Sequence, residues 1–176
     1  MESLVTPRLV LHPMDVRGAK SLASGTPAEG VLWAAGYPAE ADLGVARRYL
    51  ETCERAGDPQ PFGPYEIRRR EDGRIIGGLG FHGEPDQEGA VTIGYGLVPA
   101  AQGRGYATEA LRALLRFARA QGITRVNGDA DHQNIASQRV MTAAGMLPVG
   151  EDERVKYFAV EWPDAEAEEE GKPDGE

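Results

Sequence analysis

Hydrophobic and polar residues alternate with the period of a half-buried strand at several places along the chain. Residues 8–13 show this alternation first. The segments 65–70 and 74–81 flank an Asp72-Gly73 turn, which is a strong signal for a β-hairpin. Further strands are predicted over 89–98, 123–130 and 154–162.

Between these strands, apolar residues recur at helical spacing. Leu111, Leu114 and Ala118 belong to an apolar stripe in a long segment that ends at Gly122. Helices are predicted over 16–23, 40–55, 107–121 and 134–144. The resulting order, β-α-α-β-β-β-α-β-α-β, predicts one mixed α/β domain over residues 1–162.

Composition and charge narrow the classes of function. The chain has 176 residues, of which 41% are hydrophobic and 27% are charged, and this suits one globular domain with a substantial core. The net charge of −9 argues against a nucleic-acid partner. Much of that charge lies in 163–176, for which we predict a disordered acidic tail; the alternative is a regulatory or partner-binding role.

Cysteine and histidine usage, together with hydropathy, points to a cytoplasmic protein. Cys53 is the single cysteine, so an intrachain disulfide and a thiolate metal site are excluded. The three histidines lie in separate segments without the spacing of metal ligands, and we predict no metal. No segment approaches the ~18 apolar residues of a membrane span, and the N-terminus lacks a signal-like pattern. We therefore expect a soluble, cytoplasmic monomer or homodimer without a membrane partner.

The stretch 97–109 leads from a strand, through a turn with glycines, into the long helix. Unpaired N–H groups and the helix dipole favour an anion at a helix N-terminus, and glycine lets a phosphate approach the main chain. One alternative is that Gly103 and Gly105 serve only a tight turn. Another is a Rossmann dinucleotide fingerprint, which is disfavoured because Thr108 stands where that fingerprint needs Gly or Ala.

The same stretch resembles the acetyl-CoA motif Q/R-x-x-G-x-G/A of the GNAT superfamily of acyltransferases, through Gln102, Gly105 and Ala107. The wider segment 93–111 and the opening segment 6–11 are similar to RimJ/RimL-type N-acetyltransferases. The resemblance implies a mixed, mainly antiparallel, twisted sheet that is flanked by helices and has splayed central strands.

The resemblance also implies positions that bind acetyl-CoA. The strand end at Leu97 and Val98 is expected to bind the pantetheine arm and the acetyl group, and an N–H group near Val98 to bind the thioester oxygen. Asn134 is expected to hydrogen-bond the arm, although Asn is also an ordinary helix N-cap. The predicted cofactor-binding residues are Leu97, Val98, Gln102, Gly103, Arg104, Gly105, Tyr106, Ala107, Thr108, Asn134 and Ser137.

Acetyl transfer to an amine needs a base for the amine and benefits from an acid for the departing thiolate. Ser137 is the predicted acid, because Met141 stands where many members of the superfamily have tyrosine. The alternative for the Ser137 hydroxyl is capping or packing in the first helical turn. Some members carry the base as a carboxylate on the strand 91–98, which has none here. The remaining candidates for the base are Tyr95, Glu66, Asp131, His132 and a water chain.

The resemblance therefore predicts an acetyl-CoA-dependent N-acetyltransferase in which the amine attacks directly within a ternary complex. The acceptor is a small-molecule amine or the α-amine of a protein or peptide. Trp33 and Tyr95 are predicted to contact it, and a place in the core is the alternative for the aromatic residues near 25–38. His12, where close relatives have arginine, is predicted to be a surface residue. The alternative function is a non-catalytic acyl-CoA sensor or interaction module.

Overall fold

The computed structural model describes residues 2–163, so all but the first residue of the predicted acidic tail lies outside the described residues. All the predicted strands and helices occur in the predicted α/β order, and three further strands lie among them. The strands are β1 (Leu4–Val5), β2 (Leu9–Pro13), β3 (Leu32–Trp33), β4 (Pro64–Arg69), β5 (Arg74–Phe81), β6 (Ala90–Leu97), β7 (Arg125–Asp131), β8 (Leu147–Glu151) and β9 (Val155–Glu161). The helices are α1 (Val16–Ser24), α2 (Glu40–Ala56), α3 (Tyr106–Ala120) and α4 (Ile135–Ala143).

The strands form one sheet in the order β1-β2-β4-β5-β6-β7-β9-β8, and β3 lies alongside β5. Antiparallel pairing prevails; β6–β7 and the short β3–β5 contact are parallel. β6 and β7 pair only where Ala90–Thr92 lies beside Arg125–Asn127, and they diverge beyond these residues. The predicted fold class is thus confirmed, including the splayed central strands.

One face of the sheet packs against α3 and α4. Tyr65, Leu79 and Tyr95 are cross-strand neighbours and share this face. The ring of Tyr65 lies 6.5 Å from that of Phe117 in α3, edge towards face. We call this side the α3/α4 face.

The opposite face packs against α1 and α2. Glu66, Gly78 and Gly96 are cross-strand neighbours there. A Cβ on Gly78 would lie 3.5 Å from Oδ1 of Asp42, so α2 lies directly over this glycine. We call this side the α1/α2 face.

Three strands, β1, β3 and β8, are not predicted by the hydrophobic pattern. β1 and β3 have two residues each, too few for a period to be visible. All residues of β8 are exposed, and its pairing with β9 shifts register between Pro148 and Gly150. These strands depend on partners that are distant in sequence, and not on their own pattern. Within residues 2–163, none of the helices has the length and hydropathy to span a membrane.

Candidate active site

The glycine-containing turn meets α3 as an open backbone cradle. Gly103 and Gly105 have φ angles of 76° and 80°, in the left-handed region that glycine tolerates best. Gly105 is the N-cap of α3 and has no side chain to cap the first turn, and the helical hydrogen bonds begin with Glu109 N–H donating to Gly105 C=O. A Cβ on Gly103 would meet no atom within 4 Å. The arrangement fits a pyrophosphate, which would accept from the uncapped N–H groups of 103–108.

Arg8 joins the N-terminal strand to this cradle, a contact that the sequence analysis did not identify. Its Nη1 donates to the carbonyl of Arg104 at 2.8 Å, and its guanidinium lies 4.5 Å from the ring centroid of Tyr106. Nη2 lies 3.3 Å from the position that a Cβ on Gly105 would take. In the sequence, the one sign of this contact is that segments 6–11 and 93–111 both resemble RimJ/RimL-type N-acetyltransferases.

The end of β6 is fixed by two hydrogen bonds. Gln102 Nε2 donates to the carbonyl of Leu97 at 3.0 Å, so this motif residue ties the turn to the strand. Val98 N–H donates to Ile76 C=O at 2.9 Å. That N–H is therefore not available for a thioester oxygen, and the expected N–H near Val98 must come from a neighbouring residue. Successive N–H groups along a strand point to opposite edges, so the Leu97 N–H points into the splay.

Ser137 and Tyr95 come together on the α3/α4 face. The Tyr95 hydroxyl donates to the main-chain carbonyl of Ser137 at 2.9 Å and lies 2.8 Å from Ser137 Oγ. Burial raises the pKa of Tyr95, and the Ser137 contact only partly offsets this, so the phenol stays protonated at neutral pH. A protonated phenol is a poor candidate for the base.

Asn134 is the N-cap of α4, and its Oδ1 accepts from Ser137 N–H at 3.1 Å. This confirms the capping interpretation of its side chain. The cap uses only the oxygen of the amide, so the NH₂ group remains as a donor. Contact of Asn134 with a cofactor stays a prediction.

The remaining candidates for the base lie in different places. Glu66 is buried and its Oε2 is paired with Arg68 Nη2 at 2.8 Å. His132 Nε2 lies 2.7 Å from the carbonyl of Asp152, at the turn between β8 and β9. Asp131 ends β7, where its carbonyl accepts from Asn134 N–H. Within residues 2–163, no hydrogen bond joins the side chain of any of these three to the Ser137–Tyr95 pair, although the Asp131 carbonyl contacts the start of α4.

Trp33 lies on the α1/α2 face and packs edge to face against Tyr37, with ring centroids 5.9 Å apart. It lines a cavity of about 170 Å³ between α1 and the sheet, together with His12 and Glu66. His12 is therefore half-buried in a cavity wall. Trp33 and Tyr95 lie on opposite faces of the sheet, so they do not form one contact surface.

Residues 8–147 match the acetyltransferase (GNAT) domain family. The chain belongs to the GNAT acetyltransferase family. A relative from Bacillus subtilis, the uncharacterized N-acetyltransferase YjdG, is 29% identical over 100 residues, which are 56% of this chain and 60% of that protein. The match to this GNAT relative thus spans less than two thirds of its length.

Solved GNAT structures share the fold. A ribosomal-protein alanine acetyltransferase from Vibrio fischeri superposes with a TM-score of 0.69 at 17% identity, covering 92% of this chain and 97% of that one. RimL, a ribosomal-protein α-N acetyltransferase solved in complex with coenzyme A, gives a TM-score of 0.66 at 18% identity, with 91% and 98% covered. Across residues 2–163, the side chains form no group of three or more His, Cys, Asp or Glu suited to a metal ion.

Proposed function

We propose that this GNAT protein is an acetyl-CoA-dependent N-acetyltransferase that transfers the acetyl group to a primary amine by direct attack. One observation carries the proposal. The uncapped N-terminus of α3, with Gly103 and Gly105 in left-handed conformations, directly follows the strand β6 that splays away from β7. An anion site thus opens onto a slot between two strands, which suits a pyrophosphate attached to a long, narrow arm.

The glycine-containing turn and the slot between β6 and β7 would bind different parts of acetyl-CoA. Backbone N–H groups from Gly103 to Thr108 would hold the pyrophosphate, and the guanidinium of Arg8, which is paired with Glu109, lies beside them. Leu97 and Val98 would flank the arm, and the amide of Asn134 would donate to it. When bound, acetyl-CoA supplies an acetyl group activated as a thioester.

The residues around the splay can perform the chemistry of transfer. The Leu97 N–H would donate to the carbonyl oxygen as negative charge develops on it. Ser137 Oγ would protonate the departing thiolate, and the Tyr95 hydroxyl, 2.8 Å away, would return a proton to Ser137. Tyr95 therefore acts through Ser137 and is a positioning residue in this proposal.

The acceptor would approach from the α1/α2 face. Gly96 is exposed, and a Cβ there would meet no atom within 4 Å, so the sheet is open next to Leu97. Asp42 lies over the neighbouring Gly78, and burial raises its pKa. A carboxylate in this position favours an ammonium group, which suits a small polyamine or the α-amine of a peptide. The ribosomal-protein acetyltransferases that share the fold act on protein acceptors, and a cytoplasmic location fits either class.

Calorimetric titration with acetyl-CoA, and separately with NAD, tests the cofactor. We expect saturable binding of acetyl-CoA and none of NAD; no binding of acetyl-CoA would remove the proposal. Turnover is then measured as thiol release with a panel of spermidine, other primary amines and peptides with free N-termini. Binding of acetyl-CoA without turnover of any amine would favour the acyl-CoA sensor.

A further inference from the structure

His82 occupies a position that neither the motif nor the proposed function uses. It follows the end of β5, and its backbone N–H donates to the carbonyl of Thr92 in β6 at 2.8 Å. Its Nε2 lies 2.8 Å from the position that a Cβ on Gly94 would take. The imidazole therefore rests on the bare backbone of β6, and a residue larger than glycine at 94 would displace it.

This placement puts His82 in the acceptor approach. Gly94 and Gly96 share the α1/α2 face, because they are two residues apart on one strand. They are separated by roughly 6.8 Å along β6, at about 3.4 Å per residue. Nε2 of His82 and the open space above Gly96 therefore lie over neighbouring glycines of the same face, and one amine, or an amine and a water, would fit between them.

The imidazole is free to accept a proton. Within residues 2–163 its ring has no hydrogen-bond or ion-pair partner, and the residue is exposed. Burial and the nearby Arg48 of α2 lower the pKa of His82, while Asp129 of β7 raises it. The net effect is a pKa below the usual 6.5, so the ring is predominantly neutral at neutral pH.

We propose that His82 is the general base that takes the proton from the attacking amine. The proposal rests on the N-acetyltransferase function proposed above. It assigns the general base, for which the acetyl-CoA motif provides no residue. The position of His82 also places the proposed base and the proposed acid on opposite sides of β6. His82 faces the α1/α2 side of β6, whereas Ser137 and Tyr95 lie on the α3/α4 side.

The proton balance of the step follows from this separation. As the amine nitrogen forms its bond to the carbonyl carbon, Nε2 of His82 takes one proton from that nitrogen. The carbon–sulfur bond then breaks, and Ser137 Oγ–H gives its proton to the thiolate. The proton on His82 leaves to solvent at the exposed edge of the ring, and solvent returns one proton to Ser137 through Tyr95, so both hydroxyls end the cycle protonated. The products are the N-acetylated amine and the free thiol of coenzyme A.

The substitution His82→Gln gives the first test, with the amine of the panel that the wild type acetylates fastest. We expect kcat/KM at pH 7 to fall at least about 100-fold, while calorimetry gives an unchanged affinity for acetyl-CoA. Glu153→Gln, at an exposed residue between β8 and β9, is the control, and its rate should stay at the wild-type value. If kcat/KM of His82→Gln is close to that of the wild type, the assignment of His82 as the base is wrong, while the proposed N-acetyltransferase function still stands.

A second variant keeps the imidazole but moves it. Gly94→Ala places a methyl group 2.8 Å from the present position of Nε2, too close for the ring to stay, and the φ angle of Gly94 is outside the left-handed region, so the backbone accepts alanine. We expect a loss of kcat/KM with unchanged binding of acetyl-CoA. Gly150→Ala in β8, another glycine with ordinary φ and open surroundings, serves as the control for a strand glycine.

The pH profile supplies a readout that a merely structural role would not move. NMR titration of the three imidazole C–H signals, assigned with the three His→Gln variants, gives the pKa of His82 in the free protein. That pKa should equal the acidic limb of kcat/KM. Arg48→Gln should move the limb to higher pH, and Asp129→Asn should move it to lower pH. If the pKa of the acidic limb differs from the NMR value and does not move with these substitutions, the proposal is wrong. Wild-type protein that binds acetyl-CoA but turns over no amine would instead overturn the enzyme function, and the base with it.

Discussion

Arg8 and Glu109 are 101 residues apart in sequence and form one charge-assisted pair, with Arg8 Nε 2.7 Å from Glu109 Oε1. The other carboxylate oxygen accepts from the Arg8 backbone N–H at 3.0 Å and from the hydroxyl of Thr6. Glu109 lies in the first turn of α3. This carboxylate therefore attaches the N-terminal strand to the cradle that the proposed cofactor would occupy.

Glu109→Gln should destabilise the protein by about 1–3 kcal/mol at neutral pH, because hydrogen bonds to a charged acceptor are lost. Burial tends to raise the pKa of Glu109, but hydrogen bonds from Thr6 and Arg8 outweigh it and hold the pKa below 4.5. A lowered pKa in the folded state means that this stabilisation is complete above the unfolded value and is lost as pH falls through the folded value. Urea unfolding of both proteins at neutral pH and at about pH 3 measures the difference, which should shrink in acid. A difference that does not depend on pH would show that packing, and not charge, is responsible.

Gly105→Ala should lower the affinity for acetyl-CoA at least tenfold, because the methyl group would lie 3.3 Å from Arg8 Nη2 and press on the cradle, and the left-handed backbone resists alanine. Gly25, the C-cap of α1, has a φ of 77° against 80° at Gly105 and has open space around it. Gly25→Ala therefore carries the same backbone cost, of roughly 1–2 kcal/mol, without touching the cradle. Calorimetry and thermal unfolding of both variants separate strain from binding. Equal affinities in the two variants would contradict the cradle.

Ser137→Ala should lower kcat at least tenfold with little change in the affinity for acetyl-CoA, because the thiolate loses its proton donor. Tyr95→Phe removes the partner hydroxyl and should lower kcat less. Since the two groups are proposed to act as one relay, the double variant should be no slower than Ser137→Ala alone. Steady-state rates of the three variants give this comparison. Independent, multiplicative losses would rule out the relay.

Gly96→Val should raise KM for the amine and leave the affinity for acetyl-CoA unchanged, because the side chain would fill the open approach on the α1/α2 face. Gly150→Val in β8 is the control, as its surroundings are also open and its φ is also ordinary. Initial rates at varied amine concentration measure the effect. An unchanged KM would show that the acceptor does not cross Gly96.

The elements that the sequence predicts are those with a period of their own. α3 is an example: it was expected over 107–121 and spans Tyr106–Ala120. β8 was not expected, because Pro148 and Gly150 interrupt any alternation and its residues are exposed. Its position depends on β9, a partner that folds back from later in the chain. Elements such as α3 are determined by their local hydrophobic pattern. Elements such as β8 are determined by pairing with another strand.

The residues of the candidate site divide in the same way, into those with a local sequence signal and those placed by strand pairing. Gln102, Gly103 and Gly105 form a contiguous motif, so their role in a loop before a helix can be predicted from sequence. His82 and Gly94 carry no such signal, because only the register between β5 and β6 brings the ring over the glycine. The direction of the Leu97 N–H likewise depends on that register.

The short pairing of β6 with β7 has a consequence for the stability of the protein. Among residues 2–163, only Ala90–Thr92 and Arg125–Asn127 join the two halves of the sheet through strand pairing. A ligand that bridges the slot beyond these residues adds its binding free energy to the stability of the folded chain, by RT ln(1 + [L]/Kd). With acetyl-CoA as the proposed ligand, the free energy of unfolding of the protein would therefore rise with the concentration of acetyl-CoA.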